Sequence, residues 1–253
     1  MGLAGSAVLF ALRNVGTVID SRATTPGGTR EGTHLIVADI QTVKSWGWDG
    51  RKLLKELIKL DYENLEELRP KDEGNVEQWT PIFEEHVDTW RLLVDPDRTI
   101  IGYWHFMPLF DAEFALAKKG ELVEGSVSVN ELPPLLPGHF NIYFVTILLQ
   151  VQYRHTGAKV LLFNSMLDVL EDLAKQGVFI NEVCANAYTK AGEAVCRSLG
   201  MTSIADHVTH GKIYARSFYP FPSNAIFEKR KSLSKLYKAE FDGGSVEGPA
   251  KAS

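Results

Sequence analysis

Residues 153–159 read Tyr153, Arg154, His155, Thr156, Gly157, Ala158 and Lys159. They stand between a long apolar run (140–153, FNIYFVTILLQVQY) and a run of helical periodicity. Where a buried strand turns abruptly into a helix, the first N–H groups of the helix lack intrahelical partners and point at one place. With the positive end of the helix dipole behind them, they form a site for phosphate. Gly157 lets a ligand come close to the main chain, and Arg154 adds a charge-assisted donor. His207 and His210 lie three residues apart. That spacing suits metal ligands, but no other Cys or His clusters near them, so no metal is expected and a turn role fits. Cys184 and Cys196 are the two cysteines, which excludes a disulfide framework and points to a reducing compartment. The sequence carries no nucleophile elbow, Walker loop, paired CxxC or HExxH.

The elements that must hold this turn are best marked in the second half. The run 140–153 is almost wholly apolar and predicts a strand buried on both faces. Leu162, Phe163, Met166, Leu167, Leu170 and Leu173 form one stripe of a helix closed by Gly177. A strand over 178–185 follows. Then Ala191, Ala194, Val195 and Leu199 share a helix face that ends at Gly200, and 201–205 and 212–218 form a hairpin around 206–211.

Upstream, 34–40 reads as a strand. Asp49 reads as the N-cap of a helix that carries Leu53, Leu54, Leu57, Ile58, Leu65 and Leu68 as far as Pro70. Thr80 followed by Pro81 predicts another helix start, with Glu84 and Glu85 near its positive end. The runs 90–94 and 99–107 flank Asp95, Pro96, Asp97 and Arg98, a type I turn that makes the unit a hairpin. The connection 108–138 is long enough to carry function or small elements of its own. Trp46, Trp48, Trp79, Trp90 and Trp104 are expected in core or hairpin packing.

The 253 residues are 45% hydrophobic and 23% charged, an ordinary globular composition. A net charge of −5 gives no general attraction to nucleic acid or anionic lipid, so neither is expected as a partner. The apolar run 7–12 stops at Arg13, short of the ~18 residues of a membrane span and without the flanks of a signal peptide. A soluble, cytoplasmic protein with no membrane association is expected. Residues 7–19 read as a short helix and 21–33 as a loop. From Ser223 a basic amphipathic helix precedes a flexible end. The expected organisation is an extension over 1–33, one domain over 34–218, and a C-terminal basic helix and tail over 219–253.

With the phosphate-type turn at 154–159 and the segment Ala194-Val195-Cys196-Arg197-Ser198-Leu199-Gly200-Met201 after the next strand, the chain resembles the GNAT superfamily of N-acetyltransferases. In that family the turn reads Q/R-x-x-G-x-G/A and the later helix ends in a pattern like A-x-x-Y-x-x-x-G-F. The likeness runs over about 35–218 and is strongest from Phe140 onward. Lys159 stands where the first motif has Gly or Ala, and Cys196 where the second has tyrosine.

The resemblance implies an α/β (α+β) fold. Its sheet would be mixed, mostly antiparallel and twisted, with about six to seven strands, splayed between the fourth and fifth and flanked by helices on both faces. It also implies an enzyme, an N-acyltransferase that passes acetyl directly from acetyl-CoA, or another acyl group from its CoA ester, to an amine of a small molecule or peptide. The alternative is an acyl-CoA-binding module of the same fold with reduced catalysis. Main-chain groups near Leu149 and Val151 would pair with the pantetheine arm, Arg154 to Lys159 would hold the pyrophosphate, and Asn186 would lie near the pantetheine. Tyr188 and Cys196 are the candidate general acids, although Cys196 also fits as a small residue in an apolar helix face. Glu113 and Glu182, with Asp111, are the carboxylates in reach as candidate bases, and each also fits as a solvated surface group. The last hairpin would border the acceptor pocket, and a homodimer stays open.

Overall fold

The computed structural model describes residues 35–65, 68 and 70–243, so the helix expected at 7–19 and the loop at 21–33 lie outside the described residues. A short strand β1 (Ile36–Ala38) leads into helix α1 (Ile40–Ser45), where the side chain of Asp39 accepts from the Thr42 N–H. Helix α2 (Gly50–Asn64) is capped as expected, with Asp49 Oδ1 accepting from the Lys52 N–H at 2.7 Å. It ends at Asn64 rather than at Pro70, and a single turn, α3 (Pro70–Glu73), follows.

Helix α4 (Val76–Glu85) corrects the expected start at Thr80. Asn75 is its cap, accepting from the Gln78 N–H at 3.0 Å, and Pro81 lies inside the helix. Starting earlier places Trp79 on the same buried face as Ile82 and Phe83. Burying that indole offsets the hydrogen bond that Pro81 cannot donate.

Strands β2 (Trp90–Val94) and β3 (Ile100–Leu109) form the expected hairpin. In its turn the Arg98 N–H donates to the Asp95 carbonyl at 3.0 Å, and Asp95 Oδ1 accepts from the Thr99 N–H at 2.8 Å. The long connection holds helix α5 (Asp111–Lys119) and two 3-10 turns, small elements of its own. Then come β4 (Gly138–Leu149), α6 (Ala158–Lys175), β5 (Val178–Ala187), α7 (Lys190–Ser198), β6 (Thr202–Asp206), β7 (Lys212–Ser217), α8 (Ala225–Glu228) and α9 (Lys231–Gly243).

The seven strands form one sheet in the order β1-β2-β3-β4-β5-β7-β6. The β4–β5 pair is parallel and the others are antiparallel, so the sheet is mixed and mostly antiparallel, as expected. One face packs on α1, α2, α4 and α5, and the other on α6, α7 and α9. Trp79, Trp90 and Trp104 are buried in these cores, while Trp46 and Trp48 pack against the first from a partly exposed position.

β4 is not buried on both faces: it ends at Leu149, only Ile142, Tyr143 and Leu148 are buried, and Val151–Tyr153 form a 3-10 turn. Its second half has no β5 neighbour to cover it. On α7 the buried residue is Cys196, while Ala191, Ala194, Val195 and Leu199 are half-buried.

The basic segment near the C-terminus forms α9, which drives Leu233 and Tyr237 fully into the core beneath α6. The Tyr237 hydroxyl accepts from the Ile180 N–H at 2.9 Å, tying the helix to the middle of the sheet. Among the described residues no helix is long and apolar enough to cross a membrane. None of them form a group of three or more His, Cys, Asp or Glu placed to hold a metal ion.

Candidate functional site

The sheet opens at its centre. β4 and β5 are paired from Gly138 opposite Val178 to Phe144 opposite Ala185, and no further. Beyond that point β4 stays with β3 as far as Leu149 opposite Gly102, while Asn186 and Ala187 of β5 stay with β7. A bulge starts the divergence. The β3–β4 register shifts between His105 and Phe106, leaving Val145 as the extra residue. An unpaired residue bends its strand and increases the local twist. It also turns two successive side chains, Val145 and Thr146, toward one cavity.

On one side of the opening lies the 154–159 turn. The N–H groups of Arg154, Thr156 and Ala158 are bonded within it, to the Val151 carbonyl, the Tyr153 carbonyl and Thr156 Oγ1 at 3.2, 3.1 and 3.1 Å. Those of His155 and Gly157 have no acceptor among the described residues, so the set of available amides is smaller than the full turn. Arg154 Nε donates to the Leu149 carbonyl at 2.9 Å, fixing the guanidinium at the end of β4. Val151 is exposed, and a Cβ built on Gly157 meets nothing within 4 Å, so open space lies before the turn. Burial lowers the Lys159 ammonium from its ordinary value. Asn186, the first β5 residue past the last β4 pair, donates through Nδ2 to the His210 carbonyl at 3.0 Å. Its buried Oδ1 has no partner.

On the opposite face, beside the bulge, is a cavity of about 50 Å³ whose lining includes Asp61, Glu73, Tyr103, His105, Glu124 and Tyr188. The Tyr103 hydroxyl donates to Asp61 Oδ2, and the Tyr143 hydroxyl donates to Glu124 Oε1 at 2.5 Å. Burial raises all three carboxyls; neighbouring acids raise Glu73 and Glu124 further, whereas hydrogen bonds with Tyr103 and Glu73 draw Asp61 partly back down. Asp61 and Glu73 hold at least one proton between them, and Glu124 is pushed up to about 8. Asp72 is also buried, with both oxygens unpartnered. His105 is buried and neutral, its imidazole pushed down to about 3 by desolvation and by His86, and its Nε2 has no partner. The Tyr188 hydroxyl is raised by burial and by Glu124, Asp72 and Glu73, so it keeps its proton.

The remaining candidates are scattered. Cys196 packs in the α6-side core, its thiol pushed up to about 11 by burial. Glu182 lies in the paired part of the sheet, opposite Asn141, and forms an ion pair with Lys118 at 2.7 Å. Glu113 sits in the first turn of α5, and Asp111 accepts from Asn141 Nδ2 at 3.2 Å. His207 and His210 hold the last hairpin in place through the carbonyls of Leu122 and Tyr188, at 2.7 and 3.2 Å.

Sequence reasoning missed Asp61, Glu73, Glu124 and His105. One signal was present: Asp61 falls four residues after Leu57, on the apolar stripe of α2, where a carboxylate is out of place. No local pattern marks the other three.

No protein-family model matches the chain, and no curated protein matches it. Solved structures with a similar backbone include an acetyltransferase of the GNAT family from Staphylococcus aureus, with 10% identity, 72% of this chain and 98% of that chain covered, and a TM-score of 0.44. Another is the loading GNATL domain of CurA from Lyngbya majuscula, with 10% identity, 73% and 98% covered, and a TM-score of 0.49. A third is the GNAT family N-acetyltransferase YhbS from Escherichia coli in complex with CoA, with 10% identity, 76% and 85% covered, and a TM-score of 0.40.

Proposed function

We propose that this protein is an acyl-CoA-dependent N-acyltransferase that uses acetyl-CoA and passes the acetyl group directly to an amine. One observation carries the reading: β4 and β5 part after Phe144 and Ala185, the phosphate-type turn follows β4, and Val145, Thr146 and Tyr188, just past the parting, line a polar cavity. The residues around the turn suit a CoA ester. Arg154 and the amides of His155 and Gly157 would meet the diphosphate, with Thr156, Ala158 and Lys159 shaping the turn around it. The uncovered edge at Leu149 and Val151 would meet the pantetheine amides as an added strand does. The orphaned Oδ1 of Asn186 offers an acceptor to a pantetheine N–H.

Acetyl-CoA supplies a thioester carbonyl, and the chain's own groups do the rest. Bringing an amine and that carbonyl together through one gap gives most of the acceleration, on the order of 7–11 kcal/mol in ideal geometry. An amine attacks only when neutral, so a base must take a proton first. The cavity carboxyls stand where that proton would be delivered, whereas Glu182 is held by Lys118 and Glu113 lies on α5. Tyr188, at the end of β5 and lining the cavity, is the better-placed acid for the departing thiolate, and Cys196 is better read as core.

Saturation binding of acetyl-CoA, with its loss in Gly157→Glu, is the test. Gly157 has helical φ and open space around it. A side chain there does not strain the fold, so loss of binding reports on the site. Binding with release of free CoA across a panel of amines supports the enzyme. Failure of the wild type to bind any acyl-CoA overturns it, and binding without turnover leaves the reduced module.

A further inference from the structure

Helix α9 is anchored by one side and bare on the other. Leu233 and Tyr237 are fully buried, and the Tyr237 hydroxyl accepts from the Ile180 N–H at 2.9 Å, so the helix is not free to roll. Lys231, Lys235 and Lys238 are exposed and line one groove with Glu228 and Ser234. At about 100° per residue the three lysines fall within about 60° of arc, far round the helix from the buried pair, and they span about 10 Å of its length. Two acids of the same helix are engaged elsewhere: Glu240 with His139 at 2.8 Å, and Asp242 with the Tyr219 hydroxyl at 3.2 Å.

Arg230 joins the start of this stripe to α6. It donates to Asp168, and its Nη2 donates to the carbonyl and Oδ1 of Asn164 at 3.1 and 3.0 Å. Val160 and Leu161, one turn before Asn164 on that side of α6, are 40% and 42% exposed. The lysines are therefore bordered by apolar surface, beyond which lies the 154–159 turn.

We infer that this face docks an acidic amphipathic helix of a partner protein, with carboxylates at one-turn intervals on Lys231, Lys235 and Lys238 and an apolar residue on Val160 and Leu161. The inference goes beyond the acyl transfer and does not depend on it. Charge placement selects the occupant. The stripe is closed at both ends, by Glu228 before it and by exposed Asp242 one turn after Lys238 on the same side. A nucleic acid backbone or an anionic bilayer runs past those ends onto like charges, whereas a short run of carboxylates does not. The apolar side of α9 is already spent on the core, so the helix has nothing to insert into lipid. The chain's own terminal segments carry the isolated acids Asp20, Glu31 and Glu247, and supply no such run. Apolar surface beside the lysines calls for an amphipathic helix rather than a purely acidic one.

Fluorescence anisotropy on the full-length protein tests this, with a labelled alanine-based helical peptide bearing glutamates at i, i+4 and i+7 beside two leucines. An isomeric peptide distributes the same residues around the helix. A labelled single-stranded oligonucleotide, and co-sedimentation with phosphatidylcholine–phosphatidylserine vesicles, probe the other polyanions. We expect saturable binding of the patterned peptide, at least about tenfold weaker binding of the isomer, and at least about tenfold weakening at about 0.5 M salt, since exposed ion pairs are screened. Lys235→Glu, at the middle of the stripe, should weaken the patterned peptide at least about tenfold, and Lys235→Arg should not. Leu161→Ser should weaken it at least about threefold. All three side chains replace exposed ones, and an unchanged Tm verifies the fold. Absence of peptide binding, equal binding of the two peptides, undiminished binding in Lys235→Glu or Leu161→Ser, or tighter binding of the oligonucleotide or vesicles overturns the inference. None of these results touches acetyl-CoA saturation, whose failure overturns the proposed function alone.

Discussion

Replacing Glu124 by glutamine is expected to change how stability depends on pH. The carboxyl of Glu124 is enclosed, accepts from the Tyr143 hydroxyl, and is pushed up to about 8 by burial and by the neighbouring Asp61 and Asp72. Because the folded value is raised, the folded state keeps a proton that the unfolded chain has already lost above about 4.5. The group's stabilising contribution is therefore complete below about 4.5 and disappears as the pH rises through about 8. Between those limits one bound proton corresponds to a slope of about 1.4 kcal/mol per pH unit, with a ceiling of about 5 kcal/mol over the whole window. Glutamine is nearly isosteric with the neutral acid, still accepts from Tyr143, and has no proton to lose.

Urea unfolding of both proteins at pH 5, 6, 7 and 8 measures the effect. Near pH 5 the two should be similar. By pH 8 the variant should have gained on the wild type, at up to about 1.4 kcal/mol per pH unit, visible as about 2–4 °C in Tm for each kcal/mol. Comparing the two proteins removes most of the titration of Asp61 and Glu73, which both retain. Parallel stability–pH curves would refute the claim that this carboxyl is enclosed and protonated.

Tyr188→Phe should lower kcat by about a hundredfold or more with little change in KM or Tm, because only the proton donor is lost. Cys196→Ala should do the reverse, leaving turnover intact and costing about 1 kcal/mol of stability through a small buried gap. Steady-state kinetics beside thermal melts separate the two candidates for the acid. Tyr237→Phe should destabilise the fold by about 1–3 kcal/mol, since it leaves the Ile180 N–H buried without an acceptor. Faster hydrogen exchange at Ile180 would locate the loss.

Much of the frame was legible because it is encoded locally. Asp49 as a cap, the Asp95–Arg98 turn, the apolar stripe of α6 and the positive-φ glycines Gly177 and Gly200 each act through neighbours a few residues away. Such signals are readable from spacing alone. The start of α4 misled for the same reason: Pro81 is a strong local marker, and the burial of Trp79 that overrides it is a tertiary fact.

The site divides along the same line. The sequence by itself determined that a strand turns into a helix at Gly157 and that a second strand follows, which is enough to anticipate a place for phosphate. Only the tertiary structure decided that β4 bulges at Val145 and leaves β5 after Phe144, and that Arg154, Thr156 and Ala158 use their amides within the turn. It alone decided that Asp61, Glu73, Glu124 and His105 meet. These four come from α2, α3, the connection after α5 and β3, and each alone looks like an ordinary polar residue. Their chemistry comes from mutual burial, and burial depends on contacts between residues tens of positions apart, which no local spacing records.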